Sequence, residues 1–299
     1  MDLALQNKKC ECGSGKKRRY CCHRQRKGRF VDVNTFSDGK TRYAVTTNIL
    51  QNLVIRDVRA IERSFEEHFS EDLKRIDPLY SEAAFLFFAA TKHDYQTGDD
   101  YKDILLGLIS SALSTFGAAV SALRSGYPSQ SMVLIRQVVE TCSTIIHIVI
   151  DPDDRAIDDF RNGKYSSSKH LGRAKAAVPI IAELWGFLSN SYVHINKMHS
   201  ELQRPVPYRK GQTNVNEVFI CLRMACWISY ISAELAFPTT FTATRYWKVQ
   251  TIDGKTGVAY DPDDEERNWA SNFLNIPEIS PGSFEKSASD EGGGKAPSS

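Results

Sequence analysis

The sequence has no basic start followed by an apolar h-region. Residues 1–30 carry the charge of a secretory leader without its hydrophobic stretch, so the chain reads as one that stays in the cytoplasm. It also has no large net charge: 38 Lys and Arg against 36 Asp and Glu leave +2, and charged residues are 25% of the chain, as in ordinary soluble proteins. Cysteine is missing from any spaced framework. Four of the seven crowd into residues 10–22, while Cys142, Cys221 and Cys226 sit inside apolar helical patterns. That distribution excludes a disulfide scaffold and points to a metal site plus buried thiols in a reducing compartment. A phosphate loop is absent too. Gly-Lys-Thr occurs at Gly39 and Gly254, but the glycine required five residues earlier is Asn34 in one case and Val249 in the other. No repeat of solenoid period is present.

The charge that is present is unevenly placed. Residues 1–30 hold ten Lys or Arg against Asp2 and Glu11, a net +8, which leaves −6 for the rest. A basic appendage on a mildly acidic body suits an anionic partner. Within it lies Cys10-Glu-Cys12-Gly-Ser-Gly-Lys-Lys-Arg-Arg-Tyr-Cys21-Cys22-His23, two pairs of soft ligands joined across a Gly-Ser-Gly turn. Zinc takes four tetrahedral thiolate or imidazole ligands, and Gly13 and Gly15 give the backbone room for a tight knuckle. Lys16, Lys17, Arg18 and Arg19 can offset the −2 charge of a four-thiolate site.

This string resembles the SEC-C zinc motif, found at the tail of the preprotein translocase ATPase and as an accessory module in bacterial proteins. The departures are Glu11 where that family often has Pro, and Arg18 where it favours an aromatic. The resemblance implies one structural Zn²⁺ held by Cys10, Cys12, Cys21 and Cys22, with His23 as the alternative fourth ligand. It also implies a docking role, here through basic residues 8–29, on RNA, a ribosome or an acidic protein surface.

Beyond the knuckle, residues 30–47 read as a hairpin and linker around Asp38-Gly39, and Trp247–Tyr260 repeats the pattern around Asp253-Gly254. The two hairpins flank the helical body and could pair with each other. Residues 48–240 carry apolar helical periodicity almost throughout: Asn48–Ile76, stopped near Asp77-Pro78; Tyr80–Lys92; Asp103–Arg124, broken by Gly126; Ser129–Ile150; Lys169–Met198; and Asn214–Phe237. The fold class expected is therefore mainly α, a helical bundle. Ile104–Leu123 is an uncharged run long enough to span a bilayer. Its Ser, Thr, Gly and Ala content favours a bundle helix, and no membrane association is expected. Trp269, Phe273 and Leu274 suggest a short docking helix within 241–276, and 277–299 reads as a disordered tail.

Ser129–Ile150 is apolar nearly all round, yet Arg136, Glu140, Ser143 and His147 share one stripe at 100° per residue. Leu134-Ile-Arg136-Gln-Val-Val-Glu140, with Tyr192-Val-His194 later, resembles a bacterial helical family. Its members carry Arg-x-x-x-Glu and Tyr-x-His, without an established activity; some relatives accompany defence or toxin systems. Arg136, Glu140, His147 and His194 could do acid–base work on a phosphodiester as a metal-independent ribonuclease, the arginine holding phosphate. The alternative is a buried hydrogen-bond network that fixes helix register. Arg-x(4–6)-His spacings, as in a family of helical RNases, occur at Arg18–His23 and Arg63–His68, no more often than chance gives. His68, His93 and His170 have no visible partners and read as surface residues. The sequence thus predicts a zinc-bearing docking module on a helical domain. A defence nuclease or a non-catalytic, homo-oligomeric helical scaffold are the alternatives.

Overall fold

The structure is a computed structural model that describes residues 7–9, 15, 17, 35–37, 42–44, 49–94, 100–150, 154–164, 167–200, 205–238, 243–252 and 255–275. The chain divides into two compact units, residues 1–60 and 61–299. In the first, Lys9 and Lys17 form an isolated antiparallel bridge, and Gly15 between them has φ +70°. Strands β1 (Thr35–Ser37) and β2 (Arg42–Ala44) pair antiparallel, with Phe36 opposite Tyr43. A helical turn, Ile49–Gln51, and a wider π-turn, Asn52–Asp57, lead into helix α1 (Val58–Asp94).

The second unit is a helical bundle, the mainly α class that the periodicity predicts. Helix α1 continues past Pro78, although the sequence suggests a stop there. Proline removes the N–H that the Lys74 carbonyl would accept. Burial overrides that loss: Ile61, Phe65, Phe69, Ile76, Leu79, Ala83, Leu86 and Ala90 form one inward face on both sides of the proline. Helices α2 (Asp100–Arg124) and α3 (Pro128–Ile150) follow. Between them Gly126, at φ +88°, closes a turn in which its N–H donates to Leu123 O and the Tyr127 N–H to Ala122 O, both at 2.9 Å.

Helix α3 is the hub, packed against α2, α5 (Ser167–Ala177), α6 (Ile180–Leu188) and α7 (Thr213–Ala236). Short helix α4 (Asp154–Arg161) precedes α5. The segment read as one helix from Lys169 to Met198 is broken at Val178-Pro179. It continues as α6, a π-turn Ser189–Val193 and a 3₁₀ turn Lys197–Ser200. A strap at 205–208 then crosses the bundle. The Tyr208 hydroxyl donates to Leu123 O, its N–H donates to Ser64 Oγ at 2.8 Å, and its ring packs on Phe65 and Phe69.

Strands β3 (Trp247–Ile252) and β4 (Lys255–Tyr260) pair antiparallel, with Trp247 opposite Tyr260. Among the described residues each hairpin forms its own two-stranded sheet. Helix α8 (Asp264–Leu274) starts on an Asp263 side chain that accepts from the Glu266 N–H and ends with Asn275 in the left-handed region. The expected tail, 277–299, lies outside the described residues.

Among the described residues three helices are long and apolar enough to cross a membrane by length and composition: α2, α3 and most of α7 (Asn214–Ala236). In this bundle α7 is 94% buried over its apolar window, and the outward line of α2 is Asp103, Gly107, Ser111, Ser114, Ala118 and Ser121.

Candidate functional site

The polar stripe of α3 faces α5, α6 and the π-turn, and it splits into two parts. In the first, Arg136 Nη2 lies 2.8 Å from Glu140 Oε1, and Arg136 Nε donates to Ser189 Oγ at 2.8 Å. The Trp185 indole N–H donates to Glu140 Oε1 at 3.1 Å, and the guanidinium lies over the Trp185 ring, 5.1 Å from its centre. Both charged side chains are 22% exposed. One turn of α3, one of α6 and the start of the π-turn thus meet in a single network, and the charges there are matched to each other.

The second part is fully buried. Ser143 Oγ donates back to Val139 O at 2.7 Å, and His147 Nδ1 sits 2.7 Å from His170 Nδ1 on α5. Both histidines are 2% exposed. His170 is therefore a core residue with a partner, not the surface residue that its sequence surroundings suggest. One Nδ1 must carry the proton and the other must accept it, so the two rings hold opposite tautomers. Burial, the facing His147 and nearby Lys169 push His170 down to about 4, against a smaller pull from Asp159.

His194 is not drawn into this network. It follows the π-turn in extended conformation with an exposed side chain, and only its backbone N–H returns, to Ser189 O at 3.0 Å. The structure brings together Arg136, Glu140, Ser189 and Trp185, and separately His147 and His170. Trp185 carries no sequence signal of its own, and Ser189 only its place near Tyr192-Val-His194; their roles come from how α6 packs on α3. His68 is part-exposed, edge-on to Phe69, and His93 falls among residues whose side chains are not described.

A second polar network ties the C-terminal hairpin to the bundle. Glu234, fully buried on α7, accepts the backbone N–H groups of Arg245 and Tyr246. Burial raises its carboxyl above the usual range, while the two N–H bonds pull the other way. The Arg245 guanidinium grips Glu266 with two bonds of 2.8 Å and lies against the Tyr230, Tyr246 and Trp269 rings. Trp247 Nε1 donates to Ile231 O at 2.8 Å.

Cys142, Cys221 and Cys226 are free and buried, as their apolar surroundings predict. Burial pushes the Cys142 thiol up to about 11 and Cys221 up to about 12, and raises Cys226 further, so none is a thiolate nucleophile near neutrality. Cys10, Cys12, Cys21, Cys22 and His23 lie outside the described residues. Among the described residues no group of three or more His, Cys, Asp and Glu side chains is placed to hold a metal. The chain was compared with protein-family models, characterised proteins and solved structures, and none of them matches it.

Proposed function

We propose that this protein is a zinc-stabilised docking adaptor. Its basic N-terminal module engages a polyanionic surface, RNA foremost and otherwise a ribosome or an acidic protein, in the cytoplasm, and carries the helical domain to it. The observation that supports this reading most is the return of the chain at Lys9 and Lys17 around Gly15 at φ +70°. A return of the chain at those positions is what a Cys-x-Cys-Gly-Ser-Gly knuckle would need. A four-thiolate site is closed to substrate, so the metal would hold the fold and the surrounding Lys and Arg would do the binding.

The polar stripe of α3 supports a register-fixing network. Arg136 is engaged by Glu140, Ser189 and Trp185, so the group that a nuclease would use to hold phosphate is already bonded within the bundle. The adaptor reading is tested by comparing the full chain with one lacking residues 1–29. The full chain should bind RNA with an affinity that falls steeply as salt rises, and the shortened chain should not. Salt-independent binding, or binding retained after the deletion, would overturn it.

A further inference from the structure

Arg223 is the one charged residue of helix α7 whose burial has no partner to account for it. It is 6% exposed, its Nε is buried without an acceptor, and among the described residues it makes no hydrogen bond or ion pair. Burial and the nearby Arg75 lower its hold on the proton, and only the charge of Asp72, with Cys221 after it, acts the other way. A guanidinium presents five donors in a planar fork, and leaving them unmet in an apolar surround is unfavourable.

Arg223 lines a cavity of about 480 Å³ where α1, α7 and α8 meet. Arg75, exposed on α1, lines the same cavity, and Asn272 and Asn275 bring amide groups from the end of α8. The one carboxylate there, Glu82, is held by Arg245 at 3.2 Å. No other carboxylate lines the space to meet its two arginines. Its remaining wall is apolar: Pro78, Leu79, Trp269 and Phe273.

We propose that this cavity binds a small phosphate monoester. The phosphate lies between the Arg223 and Arg75 guanidiniums, and a compact apolar or aromatic group rests on the Leu79–Phe273 wall. Two guanidiniums match a phosphate dianion in charge and in two-pronged geometry, and asparagine amides add neutral donors. The site is independent of the N-terminal docking module and uses none of its residues.

The test uses the full chain in a zwitterionic buffer at fixed NaCl, with phenyl phosphate and inorganic phosphate as probes, followed by calorimetry and thermal unfolding. Phenyl phosphate should bind saturably and more tightly than inorganic phosphate, and should raise the unfolding temperature. Arg223→Met should weaken it at least about tenfold, because a charged two-pronged contact is lost. In the same buffer without phosphate the same variant should unfold no lower than the parent, because an unpaired buried charge has been replaced by an apolar chain of similar length. Arg75→Gln, at an exposed position, should weaken binding about threefold or more with no change in unfolding. No saturable binding up to roughly 10 mM would overturn the proposal. So would unchanged binding by Arg75→Gln, which would remove the second guanidinium from the site, or an Arg223→Met chain that fails to fold without phosphate, which would make Arg223 a structural residue.

Discussion

His147 and His170 share a single proton across 2.7 Å in the buried seam between α3 and α5. A proton added to this pair would place a cation in the core beside the second ring. The folded value of His170, about 4, lies below its ordinary 6.5, so as pH falls the unfolded chain takes up the proton first. Stability is thus fully present above about pH 6.5 and is lost progressively toward pH 4, by at most about 3 kcal/mol. Unfolding midpoints in urea between pH 7.5 and 4.5 should show this slope. His170→Gln should flatten it, and an unchanged slope in that variant would place the effect elsewhere.

Glu140→Ala leaves the Arg136 guanidinium half-buried without its carboxylate and removes the acceptor of the Trp185 N–H. A loss of about 1–2 kcal/mol is expected. His194→Ala, at an exposed position, should stay within about 0.5 kcal/mol of the parent. Denaturant titrations of the two single variants check both values. Equal stability for the two would remove the register-fixing role of Arg136 and Glu140.

Arg245→Lys keeps the charge and discards the fork. A lysine cannot hold both Glu266 oxygens or lie flat against Tyr230, Tyr246 and Trp269. The expected cost is about 1–2 kcal/mol, concentrated in the β3–β4 hairpin and α8. Hydrogen exchange should therefore accelerate at Trp247–Tyr260 and Asp264–Leu274 and remain slow in α3. Uniform acceleration across the bundle would contradict this assignment.

The metal reading makes a separate demand on the N-terminus. The purified chain should carry about one zinc, and Cys10→Ser with Cys21→Ser should lose it. Residues 61–299 contain the buried core, so the far-ultraviolet helical signal should not change. A metal-free parent that still binds RNA would separate docking from zinc.

Much of the bundle is readable from local pattern. Helix α3 begins at Pro128 and ends at Ile150, α2 stops before Gly126, and the hairpin at 247–260 pairs around Asp253-Gly254, as turn and helix-end chemistry predict. Pro78 reads as a stop because local propensity disfavours it, whereas the continuous buried face of α1 is decided by packing across the whole helix. His170 looks isolated in sequence because its partner is on another helix, which periodicity cannot reveal. Arg223 and Glu234 bear the same sequence mark as Arg136, a charge where an apolar helix would place a leucine. What sequence could not supply is their different outcomes: Glu234 is bonded to two backbone amides, whereas Arg223 opens onto a cavity.

The Tyr208 strap also bears on the order in which the chain assembles. Its anchors lie 144 residues away at Ser64 and 85 residues away at Leu123. The α2–α3 pair, by contrast, meets across one short turn. Closing such long loops costs more chain entropy than closing a helical hairpin and is repaid only once both ends have surfaces to meet. The strap is therefore expected to dock late, after α1 and α2 have come together, with the Tyr208 ring closing on Phe65 and Phe69.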